Sequence, residues 1–195
     1  MSETACTSRL AALRDCIRVY DGALESEFCA QLVRSFEDMR TEQARNGRGR
    51  MPALAHSAWT ELNVSRVADA GFKGFFLHQI DRYLAKYNED LSLTLPIPGS
   101  VRVEDLRIKR YSVESEDRFQ PHWDSLNETS NRYLVFIWYL NDVLDGGETE
   151  FCDLGIKVEA RAGRLLVFPP YWMFQHAGLP PRSNDKYMIS TYLLF

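Results

Sequence analysis

Beyond residue 100 the chain reads as one short strand after another. Segments 101–111, 132–141, 164–168 and 187–195 are rich in β-branched, aromatic and large aliphatic residues. Turn signals separate them: Asp145-Gly146-Gly147, Ala162-Gly163, Pro169-Pro170 and Pro180-Pro181. Closely spaced short strands bury their apolar faces by stacking two sheets. A jelly roll and a simpler β-sandwich give the same pattern, and strand content alone does not separate them.

The first 98 residues differ. Residues 17–20 suggest a strand closed by Asp21-Gly22. A helix follows, with Ser26 as its cap and Phe28, Leu32, Phe36 and Met39 at three- and four-residue steps. Residues 45–50 then read as a basic, glycine-containing loop, solvated rather than a lid. A second helix is expected over 69–88, where Phe72, Phe76, Ile80, Leu84 and Tyr87 form one apolar stripe. The expected architecture is α+β, mainly β. It is a single domain in which residues 1–98 give helical and strand support, and residues 99–195 form the core.

The 195 residues are 45% hydrophobic and 26% charged, the composition of an ordinary globular chain. With 23 Lys and Arg against 27 Asp and Glu, the net charge is −4, which gives no global attraction to nucleic acid or anionic lipid. No apolar run approaches the roughly 20 residues of a membrane span, and residues 1–9 lack a signal-peptide core. The four cysteines, Cys6, Cys16, Cys29 and Cys152, show no paired spacing. Reduced thiols in a cytoplasmic protein are the expectation.

Chemistry concentrates on few residues. Of four histidines, His56 and His78 read as surface or packing residues. His122 lies in Gln120-Pro121-His122-Trp123-Asp124. On a strand, positions two apart share a face, so His122 and Asp124 can converge on one ion. His176 follows an apolar run. Two histidines and one carboxylate suit non-haem Fe(II) and leave coordination positions open. Lys186 opens an apolar strand, where a buried ammonium needs an anion. Glu148 and Glu150 flank Thr149 and read as strand or turn residues.

The stretch 110–195 resembles the 2-oxoglutarate- and Fe(II)-dependent dioxygenases, in their prolyl 4-hydroxylase-like branch. Seven pieces occur in the family's order: Arg110-Tyr111, Gln120-Pro121-His122-Trp123-Asp124, Tyr139-Leu140-Asn141-Asp142, Gly146-Gly147-Glu148-Thr149-Glu150-Phe151, Leu166-Val167-Phe168-Pro169, His176-Ala177-Gly178 and Lys186-Tyr187. The resemblance implies a double-stranded β-helix, a cupin-like jelly roll with the N-terminal helices on one face. It implies His122, Asp124 and His176 as iron ligands and Lys186 as the partner of the distal carboxylate of 2-oxoglutarate. Tyr111, Tyr139 and Thr149 fall on the cosubstrate wall. Arg132 falls where relatives turn an arginine toward substrate, and Tyr192 stands where they often carry tryptophan.

The implied reaction is hydroxylation of an unactivated C–H bond, with O2 consumed, succinate and CO2 released, and ascorbate as a reductant. Asp124 favours hydroxylation over halogenation, because resembling halogenases replace this carboxylate with a small residue. The expected target is a prolyl residue or proline-like molecule. The same chemistry on another amino acid, peptide or small metabolite is the alternative, and a non-catalytic jelly-roll binding module is a third reading. The partner is a peptide or small molecule, with neither nucleic acid nor membrane.

Overall fold

The computed structural model describes residues 12–49, 52–99 and 102–195. Cys6, Arg50 and Val101 lie outside them. Eleven strands occur in the described residues: β1 (Arg18–Tyr20), β2 (Gln43–Gly47), β3 (Ala58–Asn63), β4 (Arg107–Tyr111), β5 (Phe119–His122), β6 (Arg132–Tyr139), β7 (Thr149–Phe151), β8 (Ile156–Val158), β9 (Leu165–Phe168), β10 (His176–Gly178) and β11 (Lys186–Leu194). They form a seven-stranded sheet, in the order β1-β9-β6-β11-β4-β3-β2, and a four-stranded sheet, in the order β5-β10-β7-β8. All the strand pairings are antiparallel.

Alternation along the central strands builds two cores. In β6, Leu134, Phe136 and Trp138 face a core shared with the helices, while Val135, Ile137 and Tyr139 face the other sheet. In β11, Ile189 and Leu193 join the first core, and Met188 and Tyr192 the second. Phe151 and Val158 of the small sheet close the second core from the opposite side. The chain is therefore an α+β, mainly β jelly roll with helices on one face.

Those helices are α1 (Ser26–Asp38), a short α2 (Val64–Val67) and α3 (Ala70–Leu91). The Asp69 carboxylate accepts the Phe72 backbone N–H at 2.8 Å and caps α3. Phe76, Ile80, Leu84 and Tyr87 of its stripe are buried in the first core, each side chain contributing about 1.5–3 kcal/mol by leaving water. Ser26 is the first helical residue rather than the cap, which is Glu25.

Three further expectations change. The basic segment from Arg45 is not a free loop: Arg45, Asn46 and Gly47 lie in β2, paired with Thr60, Trp59 and Ala58. The Arg45 guanidinium donates to Asp117, with Nη1 to Oδ2 at 2.6 Å. The large sheet also takes β1, β2 and β3 from before residue 99, so it crosses the expected division between support and core. Finally, the strand expected over 101–111 begins only at Arg107. No helix among the described residues is long and apolar enough to cross a membrane.

Candidate metal centre

The site sits on the inner face, between the two sheets. Antiparallel pairing of β5 with β10 sets His122 directly opposite His176, with ring centroids 4.3 Å apart. Asp124 lies beyond the end of β5, so strand periodicity does not aim it. A turn does: the backbone N–H groups of Asp124 and Ser125 both donate to the Pro170 carbonyl at 3.0 Å. That anchor brings the carboxylate back to 3.4 Å from His122 Nε2 and 3.5 Å from His176 Nε2.

The surroundings fix which atoms face inward. His122 Nδ1 lies 2.8 Å from the Gln120 carbonyl, and His176 Nδ1 lies 3.2 Å from the Phe174 carbonyl. A carbonyl only accepts, so each Nδ1 carries a proton and Nε2 is the ring atom turned toward the cluster. Burial first, and then neighbouring His122, push His176 down to about 4, which leaves a neutral imidazole at neutral pH. Burial opposes the charge on Asp124, but His176 and His122 outweigh it and hold the carboxyl below the usual range. Tyr192 donates its hydroxyl to Asp124 Oδ1 at 3.1 Å. Oδ2 is buried with no hydrogen-bond partner.

The ligand atoms of the three residues lie within 4.8 Å of one another. Two imidazole Nε2 atoms and a carboxylate oxygen without a hydrogen-bond partner therefore face a common point. That donor set fits a divalent transition metal with open positions.

Next to this cluster is Lys186, 1% exposed. The β11–β4 register pairs it with Tyr111, and Met188 pairs with Tyr139 on the other side. Its Nζ lies 5.5 Å from the Tyr111 ring and 5.3 Å from the Tyr139 ring. No carboxylate among the described residues reaches it within ion-pair distance. Burial pushes the ammonium down to about 7, against a weaker upward pull from Glu148. Tyr139 donates to Thr149 Oγ1 at 2.7 Å, so the threonine's own proton is free for another acceptor. Lys186, Tyr111 and Thr149 all line the cavity that holds the cluster, while Tyr139 stands behind Thr149.

Arg132 also lines the cavity, but its donors are already engaged. Its Nε and Nη2 donate to the two Glu104 oxygens, Nη1 lies 3.3 Å from the Asp124 carbonyl, and the guanidinium stacks over Tyr192 at 3.8 Å. The structure thus gives Arg132 a bracing position around Asp124. Sequence reasoning missed two neighbours. One is the Tyr192 hydroxyl on the ligand carboxylate. The other is Lys109, on the cavity face of β4 with Arg107 and Tyr111. The two-residue spacing from Tyr111 carried that signal.

Residues 106–194 match the family model described as the 2OG-Fe(II) oxygenase superfamily. Over 109 residues the chain is 26% identical to prolyl 4-hydroxylase subunit alpha-1 of Bos taurus, an alignment that covers 46% of this chain and 20% of that protein. The chain thus spans about a fifth of the length of that curated relative. Its fold is similar to a Pseudomonas putida prolyl-4-hydroxylase, with TM-score 0.63, 18% identity and 92% of each chain covered. It is similar to the viral collagen prolyl hydroxylase of Paramecium Bursaria Chlorella virus-1 in its 2OG complex, with TM-score 0.62 and 18% identity over 91% of this chain and 94% of that one. A Trichoplax adhaerens prolyl hydroxylase, in complex with a hypoxia inducible factor oxygen degradation domain peptide fragment, gives TM-score 0.70 and 15% identity over 92% and 84%.

Proposed function

The segment 106–194 belongs to the 2OG-Fe(II) oxygenase superfamily, and on that premise we propose that the chain hydroxylates a C–H bond of a prolyl residue, converting 2-oxoglutarate and O2 to succinate and CO2. The observation that carries this reading is the pairing, in one cavity, of an unsatisfied His122–Asp124–His176 cluster with an unpaired buried lysine.

His122, Asp124 and His176 would hold Fe(II). Bound together, Fe(II) and 2-oxoglutarate supply the oxidative decarboxylation and the oxidising power for the C–H bond. The chain supplies the setting. Lys186 neutralises the distal carboxylate of the cosubstrate. The Thr149 hydroxyl, which accepts a hydrogen bond from the Tyr139 hydroxyl, would donate its own to the same anion. Burial raises the Tyr111 and Tyr139 hydroxyls far above neutral pH, so both remain neutral walls.

The carbonyls of Gln120 and Phe174 keep each imidazole presenting Nε2. Phe119, stacked on His122 at 4.0 Å, and Phe168, edge-on to His176 at 4.8 Å, keep water from the ligands. A peptide proline is supported by the curated relative and by the names of the structural neighbours, and ascorbate serves as the reductant in the proposed assay.

The test is anaerobic. Fe(II) followed by 2-oxoglutarate is expected to give a weak visible charge-transfer band, absent in His176→Ala. Folded, iron-loaded protein without the band would refute the cosubstrate assignment. The prolyl target is checked by mass spectrometry, as a gain of one oxygen on proline in a peptide panel. A gain on another residue would replace the target and keep the chemistry.

A further inference from the structure

The cavity at the metal centre has a second cation for which the cosubstrate provides no partner. Arg107, Lys109 and Tyr111 alternate along β4 on the cavity face, and Ile108 turns into the opposite core. Arg107 is paired with Glu61, Nη1 to Oε1 at 2.7 Å. Arg132 is paired with Glu104 through both oxygens. Lys109 has no carboxylate within ion-pair distance among the described residues. Its Nζ lies 5.9 Å from the Trp59 ring.

Local pairing in the loaded cavity leaves the Lys109 ammonium unmatched at short range. The two positive charges of Fe(II) and one of Lys186 balance the single charge of Asp124 and the two of 2-oxoglutarate. The Arg107–Glu61 and Arg132–Glu104 pairs are each neutral. Burial weighs against the Lys109 ammonium, and the more distant charges of Glu61 and then Asp124 support it. Glu61 already answers Arg107, and Asp124 answers the metal. The remaining lining carboxylate, Asp105, is exposed and accepts from Asn63 Nδ2 at 2.8 Å, so Lys109 is left without an anion at short range. A lysine held in a low-dielectric pocket is costly unless an anion meets it.

Resting on the oxygenase reading above, we propose that Lys109 is a specificity-determining residue that binds a carboxylate of the substrate. The hydroxylated group therefore carries a carboxylate close by. Its source is either the α-carboxylate of a free amino acid or chain terminus, or an acidic side chain next to the reacting residue. Glu61, opposite Lys109 in the β3–β4 register, is committed to Arg107 and Trp59 Nε1, so it does not compete for the ammonium at short range.

Calorimetry on protein loaded with redox-silent Zn(II) and 2-oxoglutarate tests this without turnover, and with Lys186 already occupied. The probes are N-acetyl-L-proline, its neutral amide, and the capped dipeptide acetyl-Pro-Asp-amide. Wild type is expected to prefer one carboxylate probe over the amide by roughly tenfold, the worth of one charge-assisted hydrogen bond. Preference for N-acetyl-L-proline assigns the α-carboxylate, and preference for the dipeptide assigns the acidic side chain. Lys109→Gln removes the preference, Lys109→Met does the same, and Lys109→Arg keeps it. A wild-type preference under about threefold, well short of one charge-assisted bond, or one that survives Lys109→Gln or Lys109→Met, overturns the proposal. Failure of wild type to load Zn(II) and 2-oxoglutarate sinks the oxygenase reading and this inference with it. Normal loading without a Lys109-dependent preference sinks this inference alone.

Discussion

The Tyr192 hydroxyl donates to Oδ1 of Asp124 at 3.1 Å and leaves Oδ2 as the free oxygen of that carboxylate. The bond fixes how the carboxylate is turned toward the two imidazoles. Arg132, stacked on the Tyr192 ring, holds the tyrosine in place and is itself held by Glu104. A ligand carboxylate braced in this way loses less entropy on capturing an ion.

Tyr192→Phe removes the bond and keeps the stacked ring. Fe(II) affinity is expected to fall about 10- to 100-fold, the usual cost of losing an outer hydrogen bond to a ligand. Competition with a chelator measures it. Unchanged affinity would show that the hydroxyl does not brace the carboxylate.

Asp124→Ala and His176→Ala each delete a ligand. Stoichiometric iron binding and succinate formation are both expected to disappear, while folding persists by circular dichroism. A variant with full turnover would remove that residue from the metal set.

Lys186 sets a pH dependence. Its folded pKa is pushed down to about 7, below the ordinary lysine value, because burial disfavours the ammonium. Only the charged form attracts a dicarboxylate. Binding 2-oxoglutarate therefore takes up a proton above that pH, and affinity is expected to drop about tenfold per pH unit there. Lys186→Arg, which stays charged, flattens that slope if it still binds. Titration of 2-oxoglutarate affinity from about pH 6 to about pH 9 spans the ionisation, and a flat wild-type profile contradicts the assignment.

Glu104→Ala leaves the half-buried guanidinium of Arg132 without its partner. A loss of about 2 kcal/mol in unfolding free energy is expected, between the values for exposed and buried pairs. The Glu104→Leu, Arg132→Met double variant is expected to recover most of it in urea denaturation. Additive losses would mean that the pair is not coupled.

Gly47 closes β2 at φ +86°, and an added Cβ would collide with the Ser57 carbonyl group. Gly47→Ala is expected to cost more than about 1 kcal/mol, since neither the backbone angle nor the space allows it. The thermal midpoint reads it.

Legibility in the sequence followed the physics of each element. The strands β6, β9 and β11 announced themselves because both of their faces are buried, which makes runs dominated by apolar and aromatic residues. β2 did not, because Gln43, Ala44, Arg45, Asn46 and Gly47 carry no apolar alternation, and backbone pairing to β3 holds them. The three-residue strands β7, β8 and β10 are too short for any period to register. His122 and Asp124 were visible as a pair, but the reason for their convergence was not. The Pro170 carbonyl that anchors the turn is distant in sequence and is a backbone atom. Lys109 escaped notice because a lysine in a strand reads as solvated until its neighbours are known.

The pairing of His122 with His176 has a mechanical consequence. β5 is the outermost strand of the small sheet, with β10 as its one neighbour there. Its other ties run to the first residue of β3 and the segment before it. Ala58 N–H donates to the Arg118 carbonyl, Gln120 N–H donates to Ser57 Oγ, and the Gln120 side chain bonds His56 N–H and the Ala53 carbonyl. An ion gripped by both histidines rivets that margin to the rest of the sheet. Loading the centre would thus fasten the outer strand of the small sheet to its neighbour, so that filling the site and securing the sheet's rim would be one event.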